Sequence, residues 1–269
     1  MIEVLSQYIK SEQSLESKIN KLRELLQLLT LKIIQDSGYF VNIAFVGGTA
    51  LRVIYDLRRF SEDLDFSLIA DKGYDFSKII AKLKREFSLS NLELEAKTDI
   101  AKTVHSSMLK FTNLMRRLGI SNLAGQKLSI KLEIDSKPPA GWEIENTVIN
   151  KVYLLNITHL SLSSLYATKL HACFFRKYAK GRDFYDLVWY LGKKLAPNYT
   201  LLNNAVKQTQ GQDLKLSSKN IADFLLERLS KVDFSIIKKD VERFLEDKSE
   251  LALLNQKTIS KAISDVFKE

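Results

Sequence analysis

The residue types in this chain best suited to chemistry lie between Phe45 and Phe66, in FVGGTALRVIYDLRRFSEDLDF. In Ser61-Glu62-Asp63-Leu64-Asp65-Phe66-Ser67-Leu68, the apolar Leu64, Phe66 and Leu68 alternate with Asp63, Asp65 and Ser67. As a strand, this segment turns both aspartates to one face. Two carboxylates held side by side repel unless a cation or a proton relieves them. Mg²⁺ relieves them and still accepts substrate phosphate oxygens, and a pair of such ions about 4 Å apart stabilises both the attacking and the leaving oxygen of phosphoryl transfer. Just upstream, the apolar run Ile43-Ala44-Phe45-Val46 breaks at Gly47-Gly48. Ala50, Leu51, Val53, Ile54 and Leu57 then follow helical spacing, with Thr49 as the expected cap. Glycines at the mouth of a helix form a phosphate-accepting geometry. Either element alone also suits a turn followed by an exposed acidic strand; their conjunction points to a nucleotide and a metal.

Further charged groups sit where their surroundings make them unusual. Gln126 to Asp135, QKLSIKLEID, alternates as a strand with Leu128, Ile130, Leu132 and Ile134 on one face and Ser129, Lys131, Glu133 and Asp135 on the other. Two-metal transfer commonly uses a third carboxylate, which holds an ion and helps deprotonate the attacking hydroxyl. Glu133 and Asp135 both qualify. Later, Leu162, Leu165, Lys169, Ala172, Cys173 and Arg176 share one helical arc of about 100°, so two cations interrupt an apolar face. A buried lysine needs an anion, and an incoming triphosphate would be one. A helix starting near Gly181 places Asp183 and Asp186 on one face and lets Arg182 reach Asp186. The competing reading is a structural ion-pair network of Lys169 or Arg176 with Asp183 or Asp186.

Four segments carry a resemblance. Gly47-Gly48-Thr49-Ala50-Leu51 with Arg59 and Ser61-Glu62-Asp63-Leu64-Asp65-Phe66 resembles the first motif of the AbiEii/AbiGii-type toxins, in the DNA-polymerase-β-like, minimal nucleotidyltransferase superfamily. Lys131-Leu132-Glu133 resembles the second, a Lys-x-acid strand. Lys169 with Ala172 and Arg176 resembles the third, and Arg182-Asp183-(x)₂-Asp186-Leu187 the fourth. The motifs run in family order from Gly47 to Leu187, while the first 40 residues and the last 80 or so carry none. The resemblance implies that Gly47, Gly48, Thr49 and Ser61 bind the nucleotide, that Asp63 and Asp65 ligate Mg²⁺, and that Glu133 rather than Asp135 is the third carboxylate. It further implies that Lys169 contacts the phosphates and that Asp183 is needed for activity. The implied cofactor is Mg²⁺, two ions, with an NTP as substrate. The implied partners are a cognate antitoxin and an RNA, with the acceptor end of tRNA favoured.

Composition agrees without demanding this reading. The 269 residues include 45% hydrophobic and 27% charged, as in an ordinary globular chain long enough to bury a full core. A net charge of +9 favours a polyanionic partner. The single Cys173 excludes an internal disulfide, and His105, His159 and His171 are too scattered for a zinc site. No apolar run is long enough to span a membrane and the N-terminus lacks a signal-peptide pattern, so the protein reads as cytoplasmic.

The elements that must position these residues follow from periodicity. Residues 1–37 read as one helix with an Ile19-Leu22-Leu25-Leu26-Leu29-Ile33 stripe, and Phe76 to Phe87 as another. Leu92 to Lys97 reads as a strand with Ser107 to Leu114 as its neighbour, while the intervening DIAKTVHS resists assignment. Lys137 to Gly141 is a loop, Val148 to Ile157 a last strand, and helices fill the remainder. The fold class expected is α/β (α+β): a nucleotidyltransferase mixed sheet flanked by helices in residues 1–158, followed by a helical C-terminal domain in residues 159–269. The function expected is Mg²⁺-dependent transfer of NMP from an NTP to a hydroxyl, on the tRNA 3′ end, by a toxin of a toxin–antitoxin system. The alternatives are NMP transfer to a protein side chain, revealed by label in a protein band, and a non-catalytic nucleotide- or RNA-binding module, revealed by binding without turnover.

Overall fold

The computed structural model describes residues 1–12, 14–123 and 125–267. Its elements in chain order are α1 (Ile2–Ile9), α2 (Leu15–Asp36), β1 (Ile43–Val46), α3 (Gly47–Tyr55), β2 (Asp63–Leu68), α4 (Phe76–Leu89), β3 (Leu94–Asp99), β4 (Val104–Phe111), α5 (Leu114–Arg117), β5 (Leu128–Asp135), β6 (Ile144–Asn150), β7 (Leu154–Leu160), α6 (Leu162–Phe175), α7 (Gly181–Gly192), α8 (Tyr199–Gln210), α9 (Ile221–Leu229), α10 (Phe234–Val241) and α11 (Gln256–Phe267). The chain divides into two compact units. One comprises residues 1–50, 60–137 and 145–159; the other comprises residues 51–59, 138–144 and 160–269.

The first unit is built on a seven-stranded mixed sheet of order β3-β4-β5-β2-β1-β7-β6. The strands bearing the acidic residues, β2 and β5, are parallel neighbours, with Asp63 beside Lys131 and Asp65 beside Glu133. Antiparallel pairing joins β1 to β2 and carries β5 through β4 to β3. Because β2 and β5 are parallel, the chain needs a long crossover between them, which α4 and the β3–β4 hairpin supply. The unassigned DIAKTVHS is the tip of that hairpin: Asp99 closes β3 and Val104 opens β4. Period-2 alternation decides the faces. On β5, Leu128, Ile130, Leu132 and Ile134 are buried while Ser129, Lys131, Glu133 and Asp135 are part-exposed. Rings pack across the core side, Phe45 on Phe66 at 5.2 Å and Phe87 edge-on to Phe111 at 4.9 Å.

Two element readings are corrected. The single helix expected over residues 1–37 is two, because Ser14 adopts an extended conformation and its hydroxyl accepts from the Ser17 amide at 3.0 Å, capping α2; residue 13 lies outside the described residues. The last strand, expected over 148–157, is two strands that turn at residues 151–153. They are tied by Thr147 to His159 at 2.8 Å and Thr158 to Asn146 at 2.7 Å.

The second unit is helical. α7 begins against α10 without a side chain in the way: a Cβ on Gly181 would collide with the Ile237 carbonyl. The Gly181 amide instead donates to Asp240 at 2.7 Å. Tyr166 of α6 stacks on Tyr190 of α7 with centroids 4.3 Å apart, and both are fully buried.

Candidate active site

In the first unit the site begins at the β1–α3 junction. Gly47 has φ +78, a conformation that L side chains rarely adopt, and an ideal Cβ there would stand 2.5 Å from Oδ2 of Asp65. The Asp65 carboxylate thus rests against the start of α3, possible because position 47 lacks a side chain. Gly48 is buried within the first turn. Thr49 was expected to cap α3; the helix instead starts at Gly47, and the buried Thr49 hydroxyl donates to the Asp63 carbonyl. That bond ties α3 to the first residue of β2. Ser61 is buried too, and Gln27 of α2 donates to the carbonyls of Ser61 at 3.1 Å and Asp63 at 3.4 Å. Gln27 was missed in the sequence, although a polar residue inside the apolar Leu25–Leu29 segment is a signal.

Asp63, Asp65, Lys131 and Glu133 share one face of two adjacent strands and are all part-exposed. Lys131 donates to Glu133 at 2.7 Å. Its ammonium is held in the charged form above the usual lysine range, first by that hydrogen bond to Glu133 and, against some desolvation, by the charges of Glu133, Asp63 and Asp65. Lys131 thus places a positive charge in the row of Asp63, Asp65 and Glu133, in direct contact with Glu133. Among the described residues, no three His, Cys, Asp or Glu side chains form a ready-made metal cage. Asp135, the rival of Glu133, neighbours Ser67 and accepts from the Lys137 amide at 3.0 Å.

The second unit contains Lys169 and Asp183 within one buried charge network. Lys169 donates to Asp183 and to Asp186, each at 2.8 Å. Arg176, whose side chain is about half exposed, reaches the other oxygen of Asp183 at 3.0 Å. Arg59 makes a two-pronged contact with Asp186, Nε to Oδ1 and Nη2 to Oδ2, both 2.6 Å. Three cations thus face two carboxylates. Burial alone would raise the pKa of Asp183, but the charges of Lys169, Arg176 and Arg59 together outweigh it and hold the carboxyl below its usual value. Likewise Lys169 stays charged despite full burial because Asp183 and Asp186 flank it. The ion-pair network foreseen as the competing reading for these residues is present. Arg59, quoted within the first motif of the resemblance, was given no place in this network, since no periodicity marks an arginine for burial. Arg182, expected to pair with Asp186, stacks over the Phe244 ring at 4.4 Å, and Arg59 and Lys169 pair with Asp186.

The sequence profile of the family described as "Nucleotidyl transferase AbiEii toxin, Type IV TA system" matches residues 29–266, nearly the whole chain. The chain belongs to the AbiEii family. As an AbiEii protein it is a nucleotidyltransferase of a toxin–antitoxin system, and its mixed sheet with helices is the fold expected of that class. Two solved structures share the fold. JHP933 from Helicobacter pylori is 21% identical, the match covering 91% of this chain and 90% of that one, with a TM-score of 0.53. A putative nucleotidyltransferase from H. pylori is 22% identical, covering 91% and 93%, with a TM-score of 0.51. No curated protein matches the chain. Among the described residues of this AbiEii chain, no helix is long and apolar enough to cross a membrane.

Proposed function

We propose that this AbiEii protein transfers a nucleoside monophosphate from an NTP to a hydroxyl of an RNA, the tRNA 3′ end being the favoured acceptor, with Mg²⁺ bound by Asp63, Asp65 and Glu133. The supporting observation is the register of β2 against β5, which sets Asp63 beside Lys131 and Asp65 beside Glu133 on one face of the sheet. The lack of a complete protein cage is consistent with Mg²⁺, which takes a few carboxylates and completes its shell with water and substrate phosphates. When bound, Mg²⁺ would neutralise charge on the phosphates and lower the pKa of the attacking hydroxyl.

The chain's own groups account for the rest. The backbone N–H groups at the start of α3, left open by Gly47 and Gly48, donate to phosphate oxygens at the positive end of the helix. Thr49 and Gln27 fix the β2 backbone so that Asp63 and Asp65 keep their direction. Glu133 receives the proton of the attacking hydroxyl, and Lys131 supplies positive charge beside it. The family resemblance gives Lys169 a contact with the nucleotide phosphates, and within its own unit its ammonium is held by Asp183 and Asp186. Asp183 then serves by holding Lys169 in place. An antitoxin is the partner that the family implies, and the reaction belongs where NTPs and tRNA are present, in the cytoplasm.

The test is incubation of the purified protein with each radiolabelled NTP and total RNA. Label enters RNA in the presence of Mg²⁺ and is lost in Asp65→Ala. Absence of label from every NTP would sink the proposal.

A further inference from the structure

Beside the carboxylates, still within the first unit, lies a pocket of about 400 Å³. That size falls in the range of small-ligand sites and suits a single nucleoside. Asp63 and Lys131 form part of its wall, so the pocket opens onto the site itself. The remaining wall is of two kinds. Met108 of β4, Met115 of α5, Ile19 of α2 and Leu128 of β5 give an apolar surface, and two of these are thioethers, which pack favourably against aromatic rings. Arg23, paired with Glu62 at 3.7 Å, and Lys127, paired with Glu95 at 2.6 Å, add cations to that of Lys131, so an arriving phosphate competes with an acid already beside each.

The position of the pocket in the sheet gives it a role. Across the strands, the order is α3 start and Gly47 at β1, then Asp63 and Asp65 on β2, then Lys131 and Glu133 on β5, then Met108 on β4 beside Lys131. The diglycine start of α3 and the methionine pocket therefore lie on opposite flanks of the carboxylate row. Phosphoryl transfer runs in line, the attacking oxygen entering opposite to the leaving one. With the triphosphate on Gly47 and Gly48, as the proposed function has it, the attacking hydroxyl must come from the other flank.

We infer that this pocket is the acceptor subsite and that it takes the terminal nucleoside of a single-stranded RNA end. The base lies on Met108 and Met115, and the preceding phosphate meets Arg23 and Lys127. Unstacked RNA ends offer their ring faces for such contacts. In the reaction, a ribose hydroxyl oxygen of that nucleoside bonds to the α-phosphorus of the NTP. The bond from that phosphorus to the pyrophosphate oxygen breaks, pyrophosphate leaves, and the hydroxyl proton passes to Glu133. Three cations around an apolar floor favour a nucleic-acid acceptor over a protein side chain, which would bring no phosphate to them.

This inference rests on the transferase reading, and the experiment separates the two. A short RNA ending in 4-thiouridine is photo-crosslinked to the full-length protein and the attachment point mapped, while equilibrium binding of the same RNA is measured. The crosslink is expected on the segments bearing Met108 or Met115. Met108→Trp, which fills the pocket, lowers RNA affinity at least about tenfold and leaves NTP affinity unchanged, the scale expected when base stacking is lost. Lys127→Gln, at an exposed position where it releases only the surface pair with Glu95, weakens binding and reduces the salt slope by about 1. Crosslinking elsewhere, unchanged RNA binding by Met108→Trp, or NTP label appearing on a protein acceptor instead of RNA overturns the subsite. A protein that labels nothing with any NTP but crosslinks the RNA end at Met108 or Met115 overturns the transferase reading and supports the subsite.

Discussion

Gly47 and Asp65 occupy each other's space: one carboxylate oxygen of the aspartate lies where a side chain on the glycine would begin, with 2.5 Å between the ideal Cβ and Oδ2. The glycine is needed twice over, for its φ of +78 and for this approach. Gly47→Ala is expected to turn the Asp65 carboxylate away from Lys131 and Glu133. Roughly 100-fold of the transfer rate is lost, the scale of a displacement near 1 Å at a reacting centre. Stability falls by about 1–2 kcal/mol, the cost of holding an L side chain in the left-handed region. Labelling assays and thermal melts on the same preparation check both halves.

The pair of Arg59 and Asp186 is the most buried ionic contact described, with side chains 2% and 0% exposed. Removing one partner of such a pair strands the other. Asp186→Ala should cost about 3–5 kcal/mol in urea unfolding. Arg59→Lys should also destabilise, because an ammonium cannot reproduce the two-pronged contact of a guanidinium.

Acid should unfold the helical unit through Asp183. Its folded-state pKa lies below the ordinary value of 3.8, so its stabilising contribution is complete above that value and is lost as pH falls from about 4 through the folded pKa. Stability measured against pH should therefore drop below about pH 4. In Asp183→Asn the drop is shallower and the stability at neutral pH lower, since the charge pairing is gone at every pH.

Metal removal gives the fourth expectation. Mg²⁺ should raise the melting temperature of the wild-type protein, as any ligand selective for the folded state does. The shift should disappear in Asp63→Asn combined with Asp65→Asn, and EDTA should abolish labelling. A wild-type melting temperature indifferent to Mg²⁺ in the presence of NTP would count against these carboxylates as its ligands.

Much of the site's surroundings can be read from periodicity. The alternation of Asp63 to Leu68 and Leu128 to Asp135 reveals both strands and which side chains share a face, because a strand's period is two whatever its neighbours are. The register between the two strands is not readable in this way. Asp65 meets Glu133 only because a helix and a hairpin intervene and return the chain in parallel, a tertiary choice that no local pattern encodes. Lys131 was legible as a motif residue, whereas its place among three acidic groups follows from that register. The buried Arg59 is harder still. Its partner Asp186 is remote in sequence, and an arginine next to Arg58 in a polar stretch looks solvated until the fold is known.

The two strands that carry the acidic row, β2 and β5, are also far apart in the order of synthesis. A ribosome delivers Asp63 and Asp65 first, then α4 and the β3–β4 hairpin, and Lys131 and Glu133 only afterwards. A chain interrupted before β5 carries two of the three acids of the row and not Lys131. With these carboxylates as the proposed metal ligands, the acidic row is complete only once Glu133 has been made, about halfway along the 269 residues.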